Sequence, residues 1–284
     1  MDEETGSQPQ ANFGARAFRL IVEAGDEGAW NLAVDESILA GYENHESDSP
    51  TLRLYSWVPP ALSLGRGQLA AVSHAPDVLA AEGIQLVRRP TGGTAVLHDR
   101  ERTYSVAARL RVDPFPGGVT DTYRKIAGAV ELALRSLGLD ARAVKGVRRS
   151  TRPRAASPLC FAERSQEEIT VGGRKLVGAA QLRRRGAFLQ HGSILLRADP
   201  VRTARAVGSP WPSEDLSAGI EDLLGRSLSD SELDGALIAA FSQVFGAQMV
   251  SAPLTETERA RALLLRASKY RNDAWTLGGT IDTP

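Results

Sequence analysis

The 284-residue chain holds one cysteine, four histidines and two methionines. A single cysteine excludes an internal disulfide framework and a cysteine-built zinc site. Four scattered histidines argue against a multi-histidine metal centre. An excess of charge is missing too: Lys+Arg and Asp+Glu each number 34, for a formal net charge of zero. Whole-molecule attraction to nucleic acid or to an anionic membrane is therefore not expected. No apolar run reaches the roughly 20 residues that span a bilayer. The N-terminus is acidic and polar and lacks the basic and apolar regions of a signal peptide. The expectation is a cytoplasmic protein with no metal, no membrane and no nucleic-acid partner.

What is present suits a globular chain: 42% hydrophobic and 24% charged residues, at a length that can bury one large core. Residues 1–16 are polar and irregular and read as disordered. Phe18–Val22 reads as a strand. A helix follows on one apolar face (Trp30, Ala33, Val34, Ile38), with Asp26 and Glu27 as acids in its first turn. Residues 43–50 read as an exposed loop. Leu52, Leu54 and Ser56 alternate with Arg53, Tyr55 and Trp57 as in a half-buried strand. Ala61–Leu64 forms a strand and Asp77–Glu82 a short helix. Thr103–Leu110 is a strand. A helix capped by Thr120 or Asp121 carries Tyr123, Ile126, Ala127, Val130, Leu134 and Leu137 on one face and ends at Gly138. Residues 142–158 hold six basic residues and no acid, and read as a mobile basic loop. Glu168–Val171 and Arg174–Val177 flank Gly172-Gly173, a two-residue hairpin turn. A second hairpin lies near Arg183–Gly186, followed by a strand at Ile194–Leu196. Leu216–Leu224, Asp230–Phe245 and Glu256–Lys269 read as helices. This order predicts an α+β fold with a mostly antiparallel sheet flanked by helices.

One stretch organises the rest. The apolar strand Ile84–Val87 leads into Arg88-Arg89-Pro90-Thr91-Gly92-Gly93-Thr94, and Ala95-Val96-Leu97 leads out to His98-Asp99. Adjacent glycines mark tight turning or a close approach to something bound. The two arginines read as rim groups offering planar forks to a carbonyl, carboxylate or phosphate. A Gly-Gly pair alone reads equally as a plain hairpin turn. Cys160, alone, reads as a small buried hydrophobe. A thiol beside an ammonium such as that of Lys175 would instead have a lowered pKa, and the pair would suit acyl transfer through a covalent thioester. His98 and His191 read equally as hydrogen-bonded structural residues or as direct participants.

The segments Trp30–Glu36, Leu52–Gln68, Arg88–Ser105, Leu159-Cys160-Phe161, Gly173–Gln181, Gln190-His191-Gly192-Ser193 and Lys269–Trp275 together resemble successive blocks of the lipoate–biotin protein ligase/octanoyltransferase family. The likeness runs from about Phe18 to Trp275 and, within the family, is to the cysteine-dependent LipM-type octanoyltransferases. The resemblance implies the class II synthetase/biotin–lipoate transferase-like fold. It also implies an octanoyltransferase that moves octanoyl from acyl carrier protein, without a cofactor, to a lysine of a lipoyl domain or glycine-cleavage H protein. Cys160 would be the acyl-thioester nucleophile and Lys175 the lysine that activates it. Arg89, Thr91, Gly92, Gly93 and His98, with Gly178, Ala179, Ala180, Gln181, His191, Gly192 and Ser193, would line the acyl pocket. It divides the chain into a catalytic domain over 17–255 and a C-terminal helix and tail over 256–284. An ATP-dependent lipoate ligase, a lipoyl/octanoyl amidotransferase and a non-catalytic acyl- or lipoyl-domain-binding member are the alternatives. Two departures weigh against the ligase: Thr94 stands where ligases carry a third glycine, and Arg100-Glu101-Arg102 replaces a glycine after His-Asp. The basic 142–154 stretch could meet acidic acyl carrier protein.

Overall fold

The computed structural model describes residues 17–70, 74–144, 168–208 and 216–279. Strand β1 (Ala17–Asp26) enters helix α1 (Gly28–Glu43), and β2 (Thr51–Trp57) follows. A small excursion holds β3 (Ala61–Leu64), α2 (Pro76–Ala81), β4 (Gln85–Arg88) and β5 (Val96–His98). The chain returns through β6 (Glu101–Arg109), α3 (Val119–Ser136), β7 (Arg142–Ala143), β8 (Ile169–Val171), β9 (Arg174–Arg184) and β10 (Ala187–Leu195). It continues with α4 (Pro200–Val207), α5 (Ile220–Leu224), α6 (Asp230–Phe245) and β11 (Gln248–Ser251). Helix α7 (Glu256–Leu265), a π-helical turn (Arg266–Tyr270) and α8 (Asp273–Thr276) complete the described elements.

Among the described residues these strands make an eight-stranded sheet in the order β11-β1-β2-β6-β10-β9-β8-β7 and a three-stranded sheet, β4-β3-β5. In the large sheet β1 pairs parallel with β11 and β2, and every pairing from β2 to β7 is antiparallel. The expected α+β class with a mostly antiparallel sheet is what the chain adopts. One face of the sheet packs on α3 and α6 through Leu52, Leu54, Val106, Phe188, Ile126, Val130, Leu237 and Phe241. The other packs on α1 and α7 through Tyr55, Trp57, Ala107, Leu189, Leu32, Ala33, Ala262 and Tyr270. No helix among the described residues is long and apolar enough to cross a membrane.

This two-sided cover corrects the sequence reading at several points. Strand β2 is not half-buried: Leu52 and Leu54 face one helical layer while Tyr55 and Trp57 face the other. Helix α1 is buried on almost every side, including Asn31, Asp35 and Glu36. Its first turn carries no acid, because Asp26 ends β1 and Glu27 is the N-cap. The cap of α3 is Gly118, not Thr120 or Asp121; the Asp121 carboxylate reaches back to accept from the Gly118 N–H at 3.1 Å. Of the helix expected over Leu216–Leu224 only Ile220–Leu224 is helical, because Leu216 and Ala218 hydrogen-bond the Lys175 backbone instead. Arg142 and Ala143, assigned to the basic loop, form β7 and pair with β8; from Lys145 onward that loop, like residues 1–16, lies outside the described residues. Gly172-Gly173 does make the β8–β9 turn, with φ of 57° and 80°, so both positions need the left-handed backbone that glycine adopts freely.

Between β10 and β6, Gly192 sits opposite Tyr104. A Cβ there would lie 2.4 Å from the Tyr104 ring, itself fixed in the core at 2% exposure. Gly192→Ala is therefore expected to destabilise the protein by about 1–3 kcal/mol, read as a lower urea midpoint with an unchanged slope.

Candidate active site

The glycine-rich stretch is not a hairpin turn. Strands β4 and β5 never pair with each other; both flank β3, β4 parallel with Leu64 opposite Arg88 and β5 antiparallel with Ala61 opposite His98. The loop between them must cross the end of β3, and it does so in close contact. A Cβ on Gly65, just past β3, would lie 2.0 Å from the Gly93 carbonyl oxygen. The Arg66 N–H donates to the Thr91 carbonyl at 2.8 Å.

Both loop arginines turn inward, contrary to the reading of them as rim groups. Arg89 is 4% exposed. It donates to the Ser63 carbonyl and hydroxyl (2.8 and 3.1 Å) and to the Gly92 and Thr94 carbonyls (2.9 and 2.8 Å). The guanidinium thus takes up the carbonyls that the turning loop leaves unpaired, as a buried backbone demands. Arg88 does the same for a second cluster. It donates to the carbonyls of Gly65 and Gln68 (2.8 and 2.7 Å) and of Trp275 and Thr276 (2.9 and 3.0 Å). The Trp275 indole N–H returns a bond to the Arg88 carbonyl at 2.8 Å. The C-terminal turn is thereby latched to the base of the loop.

Two histidines brace the loop from opposite sides. His98 lies flat on Trp57, with ring centroids 3.9 Å apart, and its Nε2 is 2.8 Å from the Ser63 hydroxyl that accepts from Arg89. Its Nδ1 faces Glu101 at 3.5 Å. Glu101 is buried and accepts from the hydroxyls of Thr103 (2.7 Å) and Ser193. Burial lowers the His98 pKa below its ordinary 6.5, and the Glu101 carboxylate only partly opposes this. His191, on β10, places Nε2 2.7 Å from the Thr91 hydroxyl and Nδ1 3.6 Å from Asp35. Asp35, on α1, accepts from Arg53, Ser105 and Tyr55, each at 2.8 Å. Burial alone pushes the Asp35 carboxyl up, but the Arg53 guanidinium and the His191 imidazole outweigh it and hold the group below the usual carboxylate range.

The β9–β10 pairing brings two more expected blocks together. Gly178, Ala179, Ala180 and Gln181 stand opposite Ser193, Gly192, His191 and Gln190 in turn. Lys175 sits at the start of β9, with its backbone held by Leu216 and Ala218. Its ammonium is buried and donates to Glu168 at 2.5 Å. Cys160 lies outside the described residues. Among the described residues no group of three His, Cys, Asp or Glu side chains could hold a metal ion.

The lipoyl protein ligase A/B catalytic domain family matches residues 27–242, a span that covers the loop, both histidines and the β9–β10 hairpin. The chain belongs to this family. Among similar relatives, the octanoyltransferase LipM of Kyrpidia tusciae is 40% identical over 273 residues, covering 92% of this chain and 98% of the relative. That of Symbiobacterium thermophilum is 38% identical over 274 residues, with the same coverage. Among solved structures, a lipoate-protein ligase A bound with ATP superposes with a TM-score of 0.76 at 29% identity, covering 93% of this chain and 99% of that one. A putative lipoate protein ligase from T. acidophilum with bound lipoic acid gives 0.76 at 28% identity, covering 92% and 99%. These two solved structures share the overall fold of this chain.

Sequence reasoning missed the carboxylates of the site: Asp35, Glu101 and Glu168. Each lies beside a residue that was singled out, but an acid in a sequence reads as solvated unless its partner is known, and each partner is remote in the chain or across a turn. Asp35 and Glu36 interrupt the apolar face of α1, and that interruption was the available signal.

Two outcomes follow from this geometry. Breaking a buried ion pair such as Lys175–Glu168 by removing one partner costs about 3–5 kcal/mol. Glu168→Gln and Lys175→Met are each expected to destabilise the fold, and the double variant by clearly less than their sum, in a denaturation double-mutant cycle. Because the folded-state pKa of His98 lies below its unfolded value, its contribution to stability is present above about pH 6.5 and is lost as pH falls through the folded pKa. His98→Asn should flatten that acid limb in thermal melts between pH 7 and 5.

Proposed function

We propose that the chain is an octanoyltransferase that works through a Cys160 thioester and takes part in protein lipoylation. The observation that carries this reading is the full-length similarity to relatives named octanoyltransferase LipM, at 40% and 38% identity, above the 28–29% to the ligases. Acyl carrier protein supplies the octanoyl group, and a lysine of a lipoyl domain or of glycine-cleavage H protein receives it. The work is placed in the cytoplasm, and residues 17–255 are taken as the catalytic unit, with 256–284 as an appended helix and tail.

The chemistry needs no activation step. The Cys160 thiolate adds to the donor thioester carbonyl, the tetrahedral intermediate expels the donor thiolate, and that thiolate takes up a proton. One thioester replaces another, so the exchange is near thermoneutral. The acceptor amine then adds to the Cys160 thioester, loses a proton, and expels the cysteine thiolate. Thioester to amide is downhill. Lys175 starts as an ammonium held by Glu168 at 2.5 Å, gives its proton to the departing donor thiolate, and as the neutral amine takes the proton that the acceptor amine loses, which restores the thiolate–ammonium pair. Arg89, Thr91, Gly92, Gly93 and His98 form one side of the acyl slot. Gly178–Gln181 and His191, Gly192 and Ser193 form the other. Burying the octanoyl tail contributes about 0.8 kcal/mol per methylene.

Intact-mass measurement after mixing with octanoyl–acyl carrier protein, without ATP, tests the reading. The expected result is one octanoyl added to the wild type, removed by hydroxylamine and absent in Cys160→Ser. No adduct, with ATP-dependent modification of a lipoyl domain by free octanoate or lipoate, would make the chain a ligase instead.

A further inference from the structure

We propose that His98 is a proton-operated lock on the loop that crosses β3: neutral, it accepts the Ser63 hydroxyl and leaves that oxygen to Arg89, and on taking up a proton it claims the oxygen and displaces the arginine. The proposal is independent of the octanoyltransferase reading. Ser63 Oγ is the shared atom. It lies 2.8 Å from His98 Nε2 and accepts from Arg89 at 3.1 Å. Ser63 is fully buried, and among the described residues its hydroxyl bonds these two groups alone. A guanidinium can only donate. The hydroxyl proton therefore has one place to go, the Nε2 lone pair, and the neutral ring carries its own proton on Nδ1. That nitrogen faces Glu101 Oε1 at 3.5 Å, too far for a full hydrogen bond. Glu101 accepts from the Thr103 and Ser193 hydroxyls, so the side it turns to the ring is an acceptor too.

A second proton can enter the ring only at Nε2, where it meets the hydroxyl proton of Ser63. Ser63 Oγ would then accept from His98 and Arg89 together, and its own proton would be left in a buried site without an acceptor, a costly state for a polar group. One of the two donors has to leave. The imidazole is the less movable: it is stacked on Trp57 with ring centroids 3.9 Å apart, and the Trp57 indole is itself tied to Thr103 at 2.8 Å. Arg89 gathers the Gly92 and Thr94 carbonyls as well as that of Ser63, so displacing it from the hydroxyl loosens the exposed Gly92-Gly93 turn. The charged and titratable groups facing the ring come from three elements: Glu101 on β6, Arg89 after β4 and His191 on β10. Strands β2 and β3 present the uncharged Trp57 and Ser63. Burial, Arg89 and His191 oppose the imidazolium, Glu101 favours it, and the balance keeps the ring neutral until the pH falls below the ordinary histidine range. The lock is closed at neutral pH and opens in acid.

The closing experiment reads the ring and the loop separately on the full-length protein. With only four histidines in the chain, ¹⁵N NMR of ring nitrogens, assigned against His98→Gln, identifies the tautomer. Nδ1–H is expected for His98 at neutral pH, and Nε2–H would overturn the inference. Amide hydrogen exchange, expressed as protection relative to an unstructured chain, then follows the Arg66 and Arg89 N–H groups. These bond the Thr91 and Leu64 carbonyls at 2.8 and 3.0 Å across the base of the loop. Between about pH 7 and pH 5 their protection is expected to fall about tenfold while that of the β10 amides holds. No fall, or an equal fall in β10, would overturn the inference. His98→Gln cannot titrate and is expected to abolish the fall; a fall of wild-type size in this variant counts against the lock. If His98→Gln does not fold, Ser63→Ala decides. It removes the shared oxygen and keeps the imidazole, so the fall should vanish there too, and its persistence would overturn the inference.

Discussion

An ionised carboxylate at the centre of this molecule has to be surrounded by donors, and the layout of the sheet follows from that need. Asp35 has no water to turn to, and an unpaired charge in such a place would cost several kcal/mol. Its donors come from successive strands: Arg53 and Tyr55 on β2, Ser105 on β6 and His191 on β10. They converge only if Arg53 pairs with Ser105 and Ser105 with His191, which is the register observed. A slip of one residue would turn each of them to the opposite face. The same constraint explains why β2 alternates apolar and polar residues while being buried on both sides. The charge on α1 needs a polar stripe to meet it.

Of the positions expected to depart from the ligase pattern, Glu101 and Arg102 acquire structural meanings in this setting, whereas Thr94 gives Arg89 only its backbone carbonyl, a bond that glycine would make equally. Glu101 collects Thr103 and Ser193 and faces His98, tying β6, β10 and β5 together. Arg102 forks onto Asp234 of α6 through two bonds, at 2.8 and 2.7 Å, and also reaches the Glu23 carbonyl and the Ser56 hydroxyl. Glu101 and Arg102, just after His98, therefore form a buried junction between the sheet and the α6 layer.

The fold was largely legible because its period signals are local. Asp230–Phe245 and the Gly172-Gly173 hairpin declare themselves within a dozen residues, and β1, β3 and β6 within fewer. The errors share a physical origin. Amphipathic alternation on β2 and a single apolar face on α1 were read as one-sided burial, whereas a second layer, α7 and the residues after it, covers the other side from far along the chain. Lys175, His98 and His191 were singled out with their surroundings unknown; their carboxylate partners are buried acids, which composition treats as surface. The arginine pair was visible, but its direction was not, because the carbonyls that claim it are set by how the loop crosses β3.

The latch between Arg88 and the C-terminal turn also has a consequence for how the molecule is made. The guanidinium that steadies the base of the signature loop draws on carbonyls of Trp275, Thr276 and Leu277, and its own carbonyl is claimed by the Trp275 indole. Those partners do not exist while the first half of the chain is emerging from a ribosome. The loop can be synthesised, and its neighbouring strands paired, well before the arrangement in which Arg88 is satisfied becomes available. Assembly of the loop's base is thus a late event in biosynthesis, completed by a turn that lies 187 residues further along the chain.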